Sequence, residues 1–213
     1  MAARIEQLAV GRPKLVSYDG KEVSTAIFKH PVAGRAAVTL TNIDGDRQAD
    51  LTVHGGRDKA VYVYPAKHYA TWAEELGVES LEPAQFGENL TVSGVDETTV
   101  TIGSRYRFGS SMAVVAQPRL PCFKLGIRMN DHRFPQRFLA SGRLGFYLRV
   151  EQEGDVGAGD AFELFEQPGH DITVHGLWQI VFGGGTPDEA RQAIELLPHL
   201  DDGWIRRLRK LAG

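Results

Sequence analysis

Hydrophobic and polar positions alternate in short runs through most of residues 1–167, and helical spacing interrupts that alternation once. The runs Ala3 to Val10, Glu22 to Phe28, Ala36 to Thr41, Ala60 to Tyr64 and Ala113 to Ala116 are β-branched or alternating, and glycine or Asp/Asn turns separate many of them. Such runs form strands because one face can be buried while the other meets water. Their spacing predicts a mainly β fold closed into a barrel. One pattern occurs twice, as Val100, Gly103, Tyr106, Phe108 and as Val156, Gly159, Phe162, Leu164. Each copy reads as strand, tight turn and strand, with the glycine supplying a positive φ.

After Pro65 the positions Tyr69, Trp72, Ala73 and Leu76 make a helical stripe, and Gly77 sits where a C-terminal cap belongs. His68 falls in this helix and reads as a structural or surface residue rather than a catalytic one. The period changes for good near residue 168. Val174 to Phe182 reads as helix, Thr186-Pro187-Asp188-Glu189 opens another with a capping signature, and Asp202 to Leu211 makes a third. The expected organisation is a β-barrel over 1–167 and a small three-helix bundle over 168–213, lying apart from any active site. Gly183-Gly184-Gly185 lacks the spacing and lysine of a phosphate loop and reads as a helix connector.

Composition narrows the function. With 213 residues, 42% of them hydrophobic, the chain can bury a sizeable core. A net charge of −3 speaks against stable nucleic-acid binding or attachment to a membrane surface, since such proteins carry a basic excess. The sequence begins without a secretory pattern, contains no apolar run of membrane-spanning length and has a single cysteine, so a cytoplasmic setting is expected.

That cysteine, Cys122, lies in Gln117-Pro118-Arg119-Leu120-Pro121-Cys122-Phe123-Lys124. A lone thiol acts as a nucleophile, a sulfur carrier or one soft metal ligand, and each role favours the thiolate that Arg119 and Lys124 would support. The competing reading is an inert, buried small hydrophobe. From Gln117 to Arg143 six cations (Arg119, Lys124, Arg128, Arg133, Arg137, Arg143) face one acid, Asp131. Arginine forks match phosphate oxygens, so a phosphorylated ligand would explain this concentration; a basic surface paired with carboxylates elsewhere would explain it equally.

Two further segments add polar groups. His54-Gly55-Gly56-Arg57-Asp58-Lys59 combines paired glycines with several donors, a loop suited to an anion or polar heterocycle. In Phe86-Gly87-Glu88-Asn89-Leu90, Asn89 could read a heterocycle edge or hold the turn. The sequence has no His-Glu-x-x-His helix, Gly-x-Ser-x-Gly elbow, dinucleotide fingerprint or iron–sulfur cysteine set.

Taken together and in this order, Val53-His54-Gly55-Gly56 through Tyr64-Pro65, Phe86 to Leu90, and Gln117-Pro118-Arg119 with Pro121-Cys122 and Lys124 resemble the MOSC family, named for the C-terminal domain of molybdenum cofactor sulfurases. The helical ending resembles its YiiM-like subgroup. The resemblance implies a MOSC-type barrel that binds the molybdenum cofactor in its molybdopterin form. It implies Cys122 as catalytic residue and metal ligand, with Gly55, Gly56, Arg57, Lys59, Asn89, Arg119 and Lys124 as cofactor contacts. The activity implied is detoxifying reduction of small N-hydroxylated compounds, such as hydroxylaminopurine-type base analogues, to amines. Electrons would come from a separate reductase, and His54, Asp58 and a cofactor-bound water are candidates for the proton donor. A Cys122 persulfide carrier and a binding module are the competing readings. A homodimer is left open.

Overall fold

The computed structural model describes residues 2–49, 55–197 and 200–213. Its centre is an eight-stranded sheet in the order β12-β8-β9-β10-β6-β7-β1-β4. These strands are β1 (Arg4–Val10), β4 (His30–Pro31), β6 (Val61–Pro65), β7 (Leu90–Ser93), β8 (Arg105–Phe108), β9 (Ser111–Pro118), β10 (Phe146–Gln152) and β12 (Phe162–Glu166). Only β6 and β7 run parallel, and α1 (His68–Leu76) lies between them in sequence. Parallel neighbours require such a crossover. The hairpin of β2 (Lys14–Tyr18) and β3 (Lys21–Thr25) pairs with itself, and β5 (Arg35–Val38) pairs with β11 (Gly154–Gly157).

The expected closed barrel is replaced by an incomplete ring. β1 returns toward β12 through one bridge, Arg4 to Ala161, where the Ile5 N–H donates to the Asp160 carbonyl and the Phe162 N–H to that of Ala3. These contacts bring β1 and β12 together, but no ladder continues between them among the described residues. The repeated pattern has a structural counterpart. Gly103 and Gly159 have φ of +88° and +92°, and the strands that follow pair with one another, Phe162 beside Phe108 and Leu164 beside Tyr106.

Six α-helices appear among the described residues. α1 ends on Gly77 in the left-handed conformation, as its sequence predicts. α2 (Phe123–Met129) and α3 (Phe134–Ala140) follow Cys122. α4 (Val174–Phe182), α5 (Pro187–Leu196) and α6 (Asp202–Ala212) form the C-terminal segment, and α5 opens with a full capping box between Thr186 and Glu189. These last helices share the sheet's core: Leu177, Ala193, Trp204 and Leu208 belong to the same buried cluster as Ile5, Val63 and Phe146. The change of period near residue 168 therefore marks a change of element type and not a gap in packing. A second cluster, around Tyr64, Trp72, Phe86, Phe134 and Phe138, joins α1 and α3 to β6.

Candidate functional site

β9 ends at Pro118, and the next residues fold over the open end of the sheet. The Arg119 N–H donates to the Gly145 carbonyl at 3.3 Å, and its side chain, 6% exposed, donates from Nη1 to the Phe86 carbonyl. The guanidinium lies 4.6 Å from the centre of the Tyr62 ring and 5.8 Å from that of Phe138. No described carboxylate pairs with it. Cys122 follows in extended conformation at the start of α2, partly exposed, and its thiol interacts electrostatically with Arg119.

Both residues border a small cavity of about 100 Å³, which Lys59, Asn89 and Lys124 also line. Five of the residues expected to carry the function are thus brought together. Among the described residues, charge on this wall is lopsided: Lys29, Arg47, Lys59, Arg119 and Lys124 face one acid, Asp46. In a chain of net charge −3, this is a local concentration of positive field suited to a polyanion.

Two of these cations are paired. Lys29 forms an ion pair with Asp46, both almost fully buried, and burial is the main cause that lowers the lysine's pKa despite this partner. Lys59 Nζ lies 3.0 Å from Asp201 Oδ2, an acid contributed by the residue that caps α6. Asp201 also exchanges hydrogen bonds with Gln117, accepting from Nε2 at 3.3 Å and donating its N–H to Oε1 at 2.9 Å. Trp204 Nε1 donates to the Pro118 carbonyl at 3.0 Å. The C-terminal segment, expected to stand apart from the site, instead clasps the end of β9 and reaches a site lysine.

The remaining expected residues fall elsewhere. Asn89 borders the cavity, but its side chain is committed: Oδ1 accepts the Tyr62 N–H at 3.0 Å, and Nδ2 donates to the Ala9 carbonyl and to Asp46 at 3.3 and 3.0 Å. It holds the wall together. Asp58 is ion-paired with Arg149, and Asp58, Gly55, Gly56 and Arg57 lie off the cavity wall. Gly56 does take a positive φ, +98°, but is exposed. His54 lies outside the described residues. Of the other cations near Cys122, Arg137 and Arg143 both pair with Glu75, so for them the surface reading holds. His68 is structural as expected: its Nε2 meets Glu97 Oε2 at 2.6 Å in the interior.

Sequence reasoning missed Lys29, Asp46, Tyr62 and Tyr147. Tyr147 stands on the cavity wall beside Cys122, and burial raises its pKa, keeping the hydroxyl protonated. Glu88, fully buried, accepts from Tyr69, Thr91 and the Phe86 N–H, which fixes the loop whose carbonyl receives Arg119.

The MOSC domain model matches residues 50–163, spanning β6 to the start of β12 and thus both Lys59 and Cys122. The chain is 33% identical to protein YiiM of Escherichia coli over 189 residues, 87% of this chain and 84% of that one. The crystal structure of YiiM from Geobacillus stearothermophilus superposes with a TM-score of 0.81 at 30% identity, covering 99% and 100% of the two chains. A longer protein of Gibberella moniliformis named "Reductase" is 34% identical over 165 residues, 76% of this chain but 29% of that protein. The chain belongs to the MOSC family and is YiiM-like within it. No described helix is long and apolar enough to cross a membrane.

Proposed function

We propose that this protein is a molybdenum-cofactor-dependent reductase that converts N-hydroxylated compounds of the hydroxylaminopurine type to amines, a detoxifying activity. The observation that carries the reading is Arg119. A buried cation without a carboxylate partner is costly unless an anion arrives, and Arg119 sits in a cavity rich in cations with the chain's single thiol on its rim. MOSC domains are associated with molybdenum-cofactor binding, and the relative named "Reductase" supports redox chemistry.

The residues present fit that cofactor. Cys122 offers a soft ligand, and Arg119, Lys124 and Lys59 offer charge-assisted donors to its phosphate. Among the described residues no cluster of three His, Cys, Asp or Glu could hold a metal by itself, so a metal at Cys122 would have to bring most of its ligands. When bound, the cofactor would supply the two-electron chemistry that breaks the substrate's N–O bond, giving the amine and water with two protons and with electrons from a separate reductase. Asn89 and Asp46 hold the wall, Arg119 orients the anionic end, and the Tyr147 hydroxyl holds a proton beside the thiol.

Cys122→Ser tests this. Serine keeps nearly the same volume but ionises and ligates poorly. From a cofactor-competent host, the folded variant is expected to retain some pterin and to lose nearly all reduction of hydroxylaminopurine with an artificial electron donor. Wild-type activity in that variant overturns the reading. Wild-type protein that holds sulfane sulfur and little molybdenum points instead to a sulfur carrier.

A further inference from the structure

A second chamber also borders Cys122, between the end of β9 and the first turn of α6. Lys59, Cys122 and Tyr147 border both chambers, so the thiol is shared by the two. We propose that this second chamber is the substrate subsite and that it selects a flat heterocycle bearing an anionic tail, of the nucleoside monophosphate type, over the bare base. The proposal rests on the reductase reading and deepens it.

The two chambers differ in character. Among the described residues the first sets five cations against one acid, which suits a phosphorylated cofactor. The second sets Lys59, Arg206 and Arg207 against Asp201 and Asp202, a surplus of one, which suits a ligand with a single anionic group. Asp201 is already engaged by Lys59, Gln117 and the Trp204 N–H. Arg207 donates to the Gly203 carbonyl at 2.7 Å. Arg206 is exposed and forms no ion pair with any described residue, so its guanidinium is available to a phosphate.

Part of the remaining wall is apolar and stiff, with Gln117 adding a polar group. Pro118, Leu120 and Pro121 precede Cys122, and the Tyr147 ring adds an aromatic face. A planar base could pack there with its N–O group toward Cys122 while its tail meets Arg206. A bare base would leave the cationic end unused.

The test uses cofactor-loaded full-length protein and two unreactive probes, adenosine 5′-monophosphate and adenine, titrated by calorimetry against wild type and Arg206→Gln. The monophosphate is expected to bind about tenfold tighter than adenine, a ratio matching one charge-assisted contact. Arg206→Gln is expected to remove that advantage and leave adenine unchanged. Equal affinity of the two probes, an unchanged monophosphate affinity in Arg206→Gln, or inorganic phosphate binding as tightly as the monophosphate would each overturn the proposal. Turnover of hydroxylaminopurine and of its nucleoside monophosphate, with an artificial donor, is measured in parallel. Failure to reduce either removes the reductase reading, while the binding comparison still decides the subsite.

Discussion

Arg119 and Lys59 border the same cavity, but the structure gives them unequal roles. Lys59 is already balanced by Asp201 at 3.0 Å, whereas Arg119 is buried against a carbonyl and two aromatic rings and forms no ion pair with a described carboxylate. An arriving phosphate gains more from the cation that lacks a counter-charge. Arg119→Gln is therefore expected to weaken cofactor retention by about one to two decades, from a lost contact worth roughly 1.5–3 kcal/mol. Lys59→Gln should cost distinctly less. Molybdenum and pterin content after dialysis at graded salt would measure both, and equal losses would remove the distinction. The sequence made Arg119 and Cys122 visible because they lie three residues apart within a cluster of cations. It hid Lys29 and Asp46, which are 17 residues apart in segments without a pattern and become partners only when β1 and the Asn89 loop hold them together.

At the scale of elements, α6 is joined to the site through its capping residue. Burial by itself would raise the Asp201 carboxyl, but Lys59 and the N–H groups of Trp204 and Gly203 outweigh it and hold it below the usual carboxylate range. A carboxyl depressed in the folded state adds stability that is fully present above its unfolded pKa, about 3.9, and is lost as pH falls through the folded value. Asp201→Asn keeps an N-cap acceptor but removes the charge. It is expected to cost about 0.5–1.5 kcal/mol at pH 7, and the difference from wild type should shrink as pH falls from about 5 to 3. Urea unfolding across that range checks it; a constant difference would show that the charge is not the cause. Elements were legible where local chemistry defines them. Thr186-Pro187-Asp188-Glu189 specifies a helix start by itself, and Gly77 a helix end. α2 and α3 went unread because each has only seven residues, with Gly126 in the middle of α2, and because they depend on burying Leu125, Phe134 and Phe138 in the aromatic cluster.

For the molecule as a whole, the sequence revealed the change from strands to helices but not what joins them, because a shared core leaves no signature in either part alone. Thr101 bridges to Thr173, the Val174 N–H donates to the Val100 carbonyl, and the Ile102 N–H to that of Ile172, so the chain enters α4 already bound to the sheet. Leu177, Trp204 and Leu208 then complete a core begun by the strands, each fully buried. Burying one such side chain is worth roughly 1.5–3 kcal/mol, and a typical domain is stable by about 5–15 kcal/mol in total. Removing three of them, along with the strand-side surface they cover, is comparable to the whole margin. A chain ended near residue 168 is therefore expected to lose cooperative thermal unfolding and to expose apolar surface to a hydrophobic dye. Loss of Asp201 would also release Lys59 and the end of β9, so any soluble truncated protein should retain little cofactor. A truncated chain that melts cooperatively and keeps full molybdenum content would show that the helices are separable after all and that the site is complete within the sheet.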